Sequence, residues 1–171
     1  MAIRRVNHIV LSVTDIEASI RFYRDVLGLT VVDTIPGPGP APLMVFLRSS
    51  AESTNHHDLG LLANASMDAS TEGTAPGLLH VSFEVGTLDE LAAIKGKLEV
   101  AGSVKQCLDQ GMHLSVYALD PDGIELELIW RLPEGSWSYD TENERKPLDL
   151  EKARARWGGN LATGAAAGIP A

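Results

Sequence analysis

One pattern occurs twice in this chain, and it limits the folds open to it more than any other feature. The runs Asn7-His8-Ile9-Val10-Leu11-Ser12-Val13 and Leu79-His80-Val81-Ser82-Phe83-Glu84-Val85 each hold β-branched and large apolar residues, with a histidine at the second position. Both fit short strands. A Thr-x-x-Glu sequence follows each, Thr14-Asp15-Ile16-Glu17 and Thr87-Leu88-Asp89-Glu90. That is the capping box, in which two side chains satisfy backbone donors at a helix start. Apolar residues then repeat at helical spacing (Ile16, Ile20, Tyr23, Leu27; Leu88, Leu91, Ile94, Leu98), and Gly28 and Gly102 stand where a left-handed C-terminal cap belongs.

Three further strands follow in each copy: 29–33, 43–48 and 58–63, then 103–108, 114–119 and 124–130. The breaks between them are Pro36-Gly37-Pro38-Gly39-Pro40, the polar stretch 49–55, Asp109-Gln110-Gly111 and Asp120-Pro121-Asp122-Gly123. The expectation is an α+β chain of tandem βαβββ modules, 1–63 and 77–131, joined by a linker over 64–76. A tail, 132–171, carries a short helix over 148–157 and a mobile Gly/Ala-rich end.

Composition excludes several classes of function. A formal charge of −9 over 171 residues, with no Lys/Arg run, argues against nucleic acid and against an anionic membrane surface. With 44% hydrophobic and 22% charged residues the chain is of ordinary globular type. No apolar stretch approaches the about 20 residues that span a bilayer. One cysteine, Cys107, and no signal-peptide pattern fit a reducing cytoplasm.

Alternation along the strands nominates a site. His8, Val10 and Ser12 share one face of the first strand, and His80, Ser82 and Glu84 share the equivalent face of its counterpart. The opposite residues are the helix-packing set, so both histidines face away from the helices. If a pseudo-twofold axis relates the modules, the imidazoles converge. In the last strand Leu126, Leu128 and Trp130 form the apolar face, which turns Glu125 and Glu127 the other way. A carboxylate in so apolar a strand is costly to bury unless it is paired or bound to a metal. Two histidines and one carboxylate suit Fe(II), and also Mn(II) or Zn(II). Singly, each of these residues has an ordinary structural explanation; their symmetric placement is what favours a shared ion.

These residues resemble the vicinal oxygen chelate superfamily, which includes glyoxalase I, fosfomycin- and bleomycin-resistance proteins, methylmalonyl-CoA epimerase and type I extradiol dioxygenases. The resemblance covers about residues 3–131. It rests on the two histidine strands, on Phe22-Tyr23-Arg24-Asp25-Val26-Leu27-Gly28-Leu29, and on Tyr117-Ala118-Leu119-Asp120-Pro121-Asp122-Gly123-Ile124-Glu125-Leu126-Glu127. It implies a curled, mixed-sheet half barrel and a metal bound by His8, His80 and Glu127, the carboxylate four residues after the turn glycine. His56-His57-Asp58-Leu59 and Pro147-Leu148-Asp149-Leu150 are similar to stretches of single-domain catechol 2,3-dioxygenase-like members. Such a resemblance implies Fe(II), with Mn(II), Zn(II) or Ni(II) as alternatives, an aromatic diol and O2 as substrates, and a homodimer. The aromatic residues Trp137, Tyr139 and Trp157 are candidates for the subunit contact.

Tyr117 matches a phenol that hydrogen-bonds the substrate, or else packs across strands. Where such members carry Asp-His-Gly, this chain has Asp109-Gln110-Gly111, and glutamine is no general base. His113 substitutes if the strand start is bent or shifted. Matching Asp58-Leu59 to Glu127-Leu128 puts Asp58 at a fourth-ligand position that some members fill with a carboxylate or histidine. His57, Asp58 and Gln110 otherwise line the substrate pocket. Two alternatives stand beside ring cleavage: a metal-dependent lyase or isomerase of the glyoxalase or epimerase kind, and a protein that binds a small molecule such as an antibiotic without catalysis.

Overall fold

The computed structural model describes residues 6–64, 78–133, 135–137 and 146–165. The chain divides into two compact units, Met1–Ala75 with Asp120–Gly123, and Pro76–Leu119 with Ile124–Ala171. Of the expected linker, all but Asn64 lies outside the described residues.

The first unit contains β1 (Ile9–Val13), α1 (Ile16–Arg21) continued by a π-helical turn (Phe22–Val26), β2 (Thr30–Pro36), β3 (Pro42–Arg48) and β4 (Leu59–Ala63). Its sheet order is β1-β4-β3-β2, with β1 and β4 parallel and the other pairs antiparallel. The second unit contains β5 (His80–Glu84), α2 (Leu88–Val100), β6 (Val104–Asp109), β7 (His113–Leu119), β8 (Glu125–Arg131), β9 (Lys146–Pro147) and α3 (Leu150–Trp157). Its order, β5-β8-β7-β6-β9, repeats the first with one short strand added at the edge. Topology thus bears out the α+β class and the repeated βαβββ plan.

In both units the buried side of the sheet is the one the alternation assigned to the helices. Leu11, Val13, Val45, Leu47, Leu59 and Leu61 form it in the first, and Val81, Leu114, Val116, Leu126, Leu128 and Trp130 in the second. The π-helical turn has a packing consequence. An α-helix turns consecutive residues 100° apart, whereas the wider turn lets Phe22 and Tyr23 both point inward, at 6% and 0% exposure, with rings edge to face at 5.4 Å. Tyr23 Oη donates to Asp120 Oδ2 at 2.9 Å, and the phenol is raised in pKa, first by burial and then by Asp120.

One local expectation is corrected. The Thr87–Glu90 capping box is present, but the first helix is capped by Asp15, whose carboxylate accepts from Ala18 N. Thr14 is drawn away by Asp122, which accepts from both its backbone N–H and its hydroxyl. Of the tail end expected to be mobile, residues 166–171 lie outside the described residues, and residues 158–165 are hydrogen-bonded to the second unit. Trp130 Nε1 donates to Leu161 O at 3.1 Å, Thr163 N to Gly86 O at 2.8 Å and Gly164 N to Arg131 O at 3.0 Å. Thr163 Oγ1 also donates to Glu84 Oε1 and accepts from Arg131 N. Two glycines of this stretch, Gly158 and Gly164, adopt positive φ, 79° and 58°.

No helix among the described residues is long and apolar enough to cross a membrane. Trp137 donates to Leu132 O at 2.8 Å and Trp157 lies beneath the Arg156 guanidinium, while Tyr139 is outside the described residues.

Tyr23→Phe removes a buried hydrogen bond to a carboxylate. The variant is expected to lose about 1.5–3 kcal/mol, read from the urea midpoint at unchanged slope.

Candidate metal centre

Three strands of the second unit bring the site residues together. β5 and β8 run parallel with His80 opposite Glu125 and Ser82 opposite Glu127; β7 and β8 run antiparallel with Tyr117 opposite Glu127. Because alternate residues share a face, His113, Ser115 and Tyr117 line up on β7 beside Glu127, away from the helix side. The β6–β7 connection is tight, with Gly111 at φ +76° and Gln110 N donating to His113 O at 3.0 Å. That turn returns Gln110 to the same place.

Glu127 is 6% exposed and densely partnered. Its Oε1 accepts from Tyr117 Oη at 2.7 Å, Ser115 Oγ at 2.9 Å and Gln110 Nε2 at 3.0 Å, and His113 Nε2 lies 3.3 Å away. Burial by itself pushes the carboxyl upward, but the bonds from His113, Tyr117 and Ser115 outweigh it and bring the pKa down to about 2. Tyr117 moves the other way, to about 12, through burial and its bond to Glu127, partly offset by Gln110. At neutral pH the site therefore holds a carboxylate and a neutral phenol.

On the second oxygen, Glu127 Oε2 stands 3.4 Å from His80 Nε2. Two donors each about 2.1 Å from one ion lie about 3.0–3.4 Å apart, so an ionised oxygen and an imidazole at this separation fit a shared metal. The same approach is an ion pair when the imidazole is protonated. Glu125, the neighbouring carboxylate on this face, is instead paired with Lys105.

The third expected ligand, His8, belongs to the first unit. There it is exposed, with Nδ1 2.9 Å from Asn7 Oδ1 and its ring 4.6 Å from that of His57. His57 also meets the Phe46 ring at 4.6 Å, and its Nδ1 lies 3.1 Å from His56 Nδ1. Burial, then charge on His8 and His56, lowers the pKa of His57. Among the described residues no three His, Cys, Asp or Glu side chains are grouped to hold a metal ion.

Two sequence readings change. His113 needs no bent strand to reach the site, since β7 begins at His113 and its ring already faces Glu127. Asp58 does not occupy the position equivalent to Glu127. If His8 and His80 correspond, so do Val10 and Ser82; Val10 pairs with Gly60, and Ser82 with Glu127. The equivalent of Glu127 is Gly60, two residues beyond Asp58. A Cβ on Gly60 would come within 2.9 Å of Met44 Cε and 3.2 Å of Val10 Cγ2, so apolar groups already fill that place. Asp58 instead organises the loop before β4, accepting from Ser49 N, Ser49 Oγ, Ser53 Oγ and Asn55 Nδ2. Burial opposes this, but the four bonds prevail and hold it at about 2. Ser115 is the participant that sequence reasoning missed; its alternation with His113 and Tyr117 was the available signal.

The family model described as the glyoxalase/bleomycin resistance protein/dioxygenase superfamily matches residues 5–128. An iron-dependent extradiol dioxygenase of Rhodococcus jostii (strain RHA1) is 29% identical over 92% of this chain. The alignment takes in 51% of that relative, so the chain spans about half its length. Lactoylglutathione lyase of Haemophilus influenzae (strain ATCC 51907 / DSM 11121 / KW20 / Rd) is 30% identical over 71% of this chain and 89% of its own. In fold, the crystal structure of a glyoxylase/bleomycin resistance protein/dioxygenase domain from Frankia sp. EAN1pec superposes with a TM-score of 0.64 at 22% identity, covering 78% of this chain and 96% of that one.

The carboxyl shifts set an acid limit. A group depressed on folding stabilises the fold above its unfolded value and loses that contribution as pH falls toward the folded one. For Glu127 the window runs from 4.5 down to about 2, and for Asp58 from 3.8 to about 2. Unfolding midpoints measured between pH 5 and 2 are expected to fall steeply, and Glu127→Gln should flatten that slope.

Proposed function

The chain belongs to the glyoxalase/bleomycin resistance protein/dioxygenase superfamily, and from that premise we propose that it is an Fe(II)-dependent extradiol-type dioxygenase. Its substrate in this reading is a catechol-like diol, and its metal ligands are His8, His80 and Glu127. The observation that carries this reading is the ionised, buried Glu127 with His80 Nε2 3.4 Å from its second oxygen. Similarity to an iron-dependent extradiol dioxygenase over 92% of this chain supports it. So does Gly60, since a three-ligand site leaves more of the ion open than a four-ligand one.

Bound Fe(II) would supply a template and charge sink for a diol and O2. The chain's own residues divide the remaining work. In this reading His113, whose Nε2 lies 3.3 Å from the carboxylate, is the residue that exchanges a proton with the substrate. Tyr117, its phenol pushed up to about 12, stays protonated and orients rather than ionises. Gln110 carries no titratable proton. We also take the protein to act as a homodimer in the cytoplasm, as the sequence suggests.

The similarity to lactoylglutathione lyase favours a second reading, a lyase or isomerase using Zn(II), Ni(II) or Mn(II). That chemistry needs a base, for which Glu125, Asp58 and His57 are the candidates: Glu125 is paired with Lys105, Asp58 with four loop donors, and His57 lies against the Phe46 ring with its Nδ1 3.1 Å from His56 Nδ1.

Protein reconstituted anaerobically with Fe(II) is expected to hold one iron per chain and to consume O2 in an oxygen electrode when a catechol is added. His80→Ala should lose both properties. Zn, Ni or Mn content without O2 uptake on any catechol would overturn the proposal in favour of the second reading. Tight small-molecule binding that survives His8→Ala without turnover would point to sequestration instead.

A further inference from the structure

Counting hydrogens around Glu127 gives Gln110 a role of its own. Its Nε2 lies 3.0 Å from Ser115 Oγ and 2.9 Å from Tyr117 Oη, and both hydroxyls lie within 2.9 Å of Glu127 Oε1. A carboxylate only accepts, so each hydroxyl must spend its single hydrogen on Oε1. Each hydroxyl oxygen is then an acceptor toward Gln110, whose NH₂ has two hydrogens, one for each, while Oε1, 3.0 Å from Nε2, takes only a shared three-centre bond from them. The alternative orientation of the amide would set its carbonyl oxygen 3.0 Å from an ionised carboxylate, which repulsion forbids. Hydrogen bonding therefore runs one way, from the amide through two hydroxyls to one oxygen.

We propose that Gln110 is a positioning residue. Its amide turns the Ser115 and Tyr117 hydroxyls onto Glu127 Oε1, which leaves Oε2, the oxygen facing His80, as the one offered to a metal. This second step rests on the metal reading above; the orientation of the hydroxyls does not. Glutamine suits the task because one nitrogen carries both hydrogens, whereas a histidine ring nitrogen carries at most one and could serve a single hydroxyl. The glutamine is thus a positive feature of the site, with its own geometry. Toward an incoming ligand it makes Tyr117 an acceptor, because the phenol's only hydrogen is already committed. A substrate oxygen that meets Tyr117 must bring its own hydrogen.

The test has two arms on the full chain. In the metal-free protein, the two side-chain amide hydrogens of Gln110 are followed by ¹⁵N-resolved NMR in Ser115→Ala and in Tyr117→Phe. Each variant is expected to shift one of the two hydrogens, and a different one in each case. Shifts of the same hydrogen in both, or of neither, overturn the proposal. If Ser115→Ala fails to fold, Ser115→Cys takes its place, since the weak thiol donor should still shift only its own amide hydrogen. In the second arm, Mn(II) affinity is measured by titration calorimetry for Gln110→Leu and Gln110→His. Both are expected to bind about 10- to 100-fold more weakly than the parent at unchanged thermal midpoint, with histidine failing to rescue. Parental affinity in both variants overturns the link to the metal. A parent that binds no metal yet keeps the amide pattern upholds the orientation and ends the metal reading.

Discussion

Removing an ionised carboxylate from water costs several kcal/mol unless protein donors replace the lost hydration. For Glu127 those donors come from one short stretch, 110–117, folded so that a turn residue and three alternate strand residues converge on a single oxygen. Much of the second unit's local geometry follows from this. The turn at Gly111 must be tight enough to return Gln110, β7 must begin at His113, and Tyr117 must stand directly opposite Glu127. Displacing any of these would leave a charged group short of partners in an apolar sheet.

The first unit contains a carboxylate that is just as fully partnered and serves a different end. Asp58 gathers two serine hydroxyls, a backbone N–H and an asparagine amide, and so fixes the loop that leads into β4. Both groups are depressed to about 2 by the same physics. They differ in what is left over. Asp58 has both oxygens bound by its own loop, whereas Glu127 concentrates its donors on one oxygen and presents the other to an imidazole.

The sequence was most informative where a residue's role is local. Two-residue alternation identified the buried face of β1, β5 and β8, and the Thr87–Glu90 reciprocity is visible because both partners lie within one helical turn. Thr14 has the same local pattern, yet its hydroxyl goes to Asp122, over a hundred residues away, and no window around Thr14 reveals that competitor. Asp58 was misplaced because an acidic residue beside a leucine matched the Glu127 neighbourhood; parallel pairing registers, absent from sequence, put Gly60 there instead.

Gly60 also bears on how such a chain can change over generations. The two halves share one plan, but one carries an acid at a position where the other carries only hydrogen. Methyl groups of Met44 and Val10 have closed over that hydrogen. Placing an acid there as a fourth ligand would therefore require new neighbours as well as a new codon, and the intermediate forms would be overcrowded. The packing around Gly60 thus holds the two halves to unequal duties.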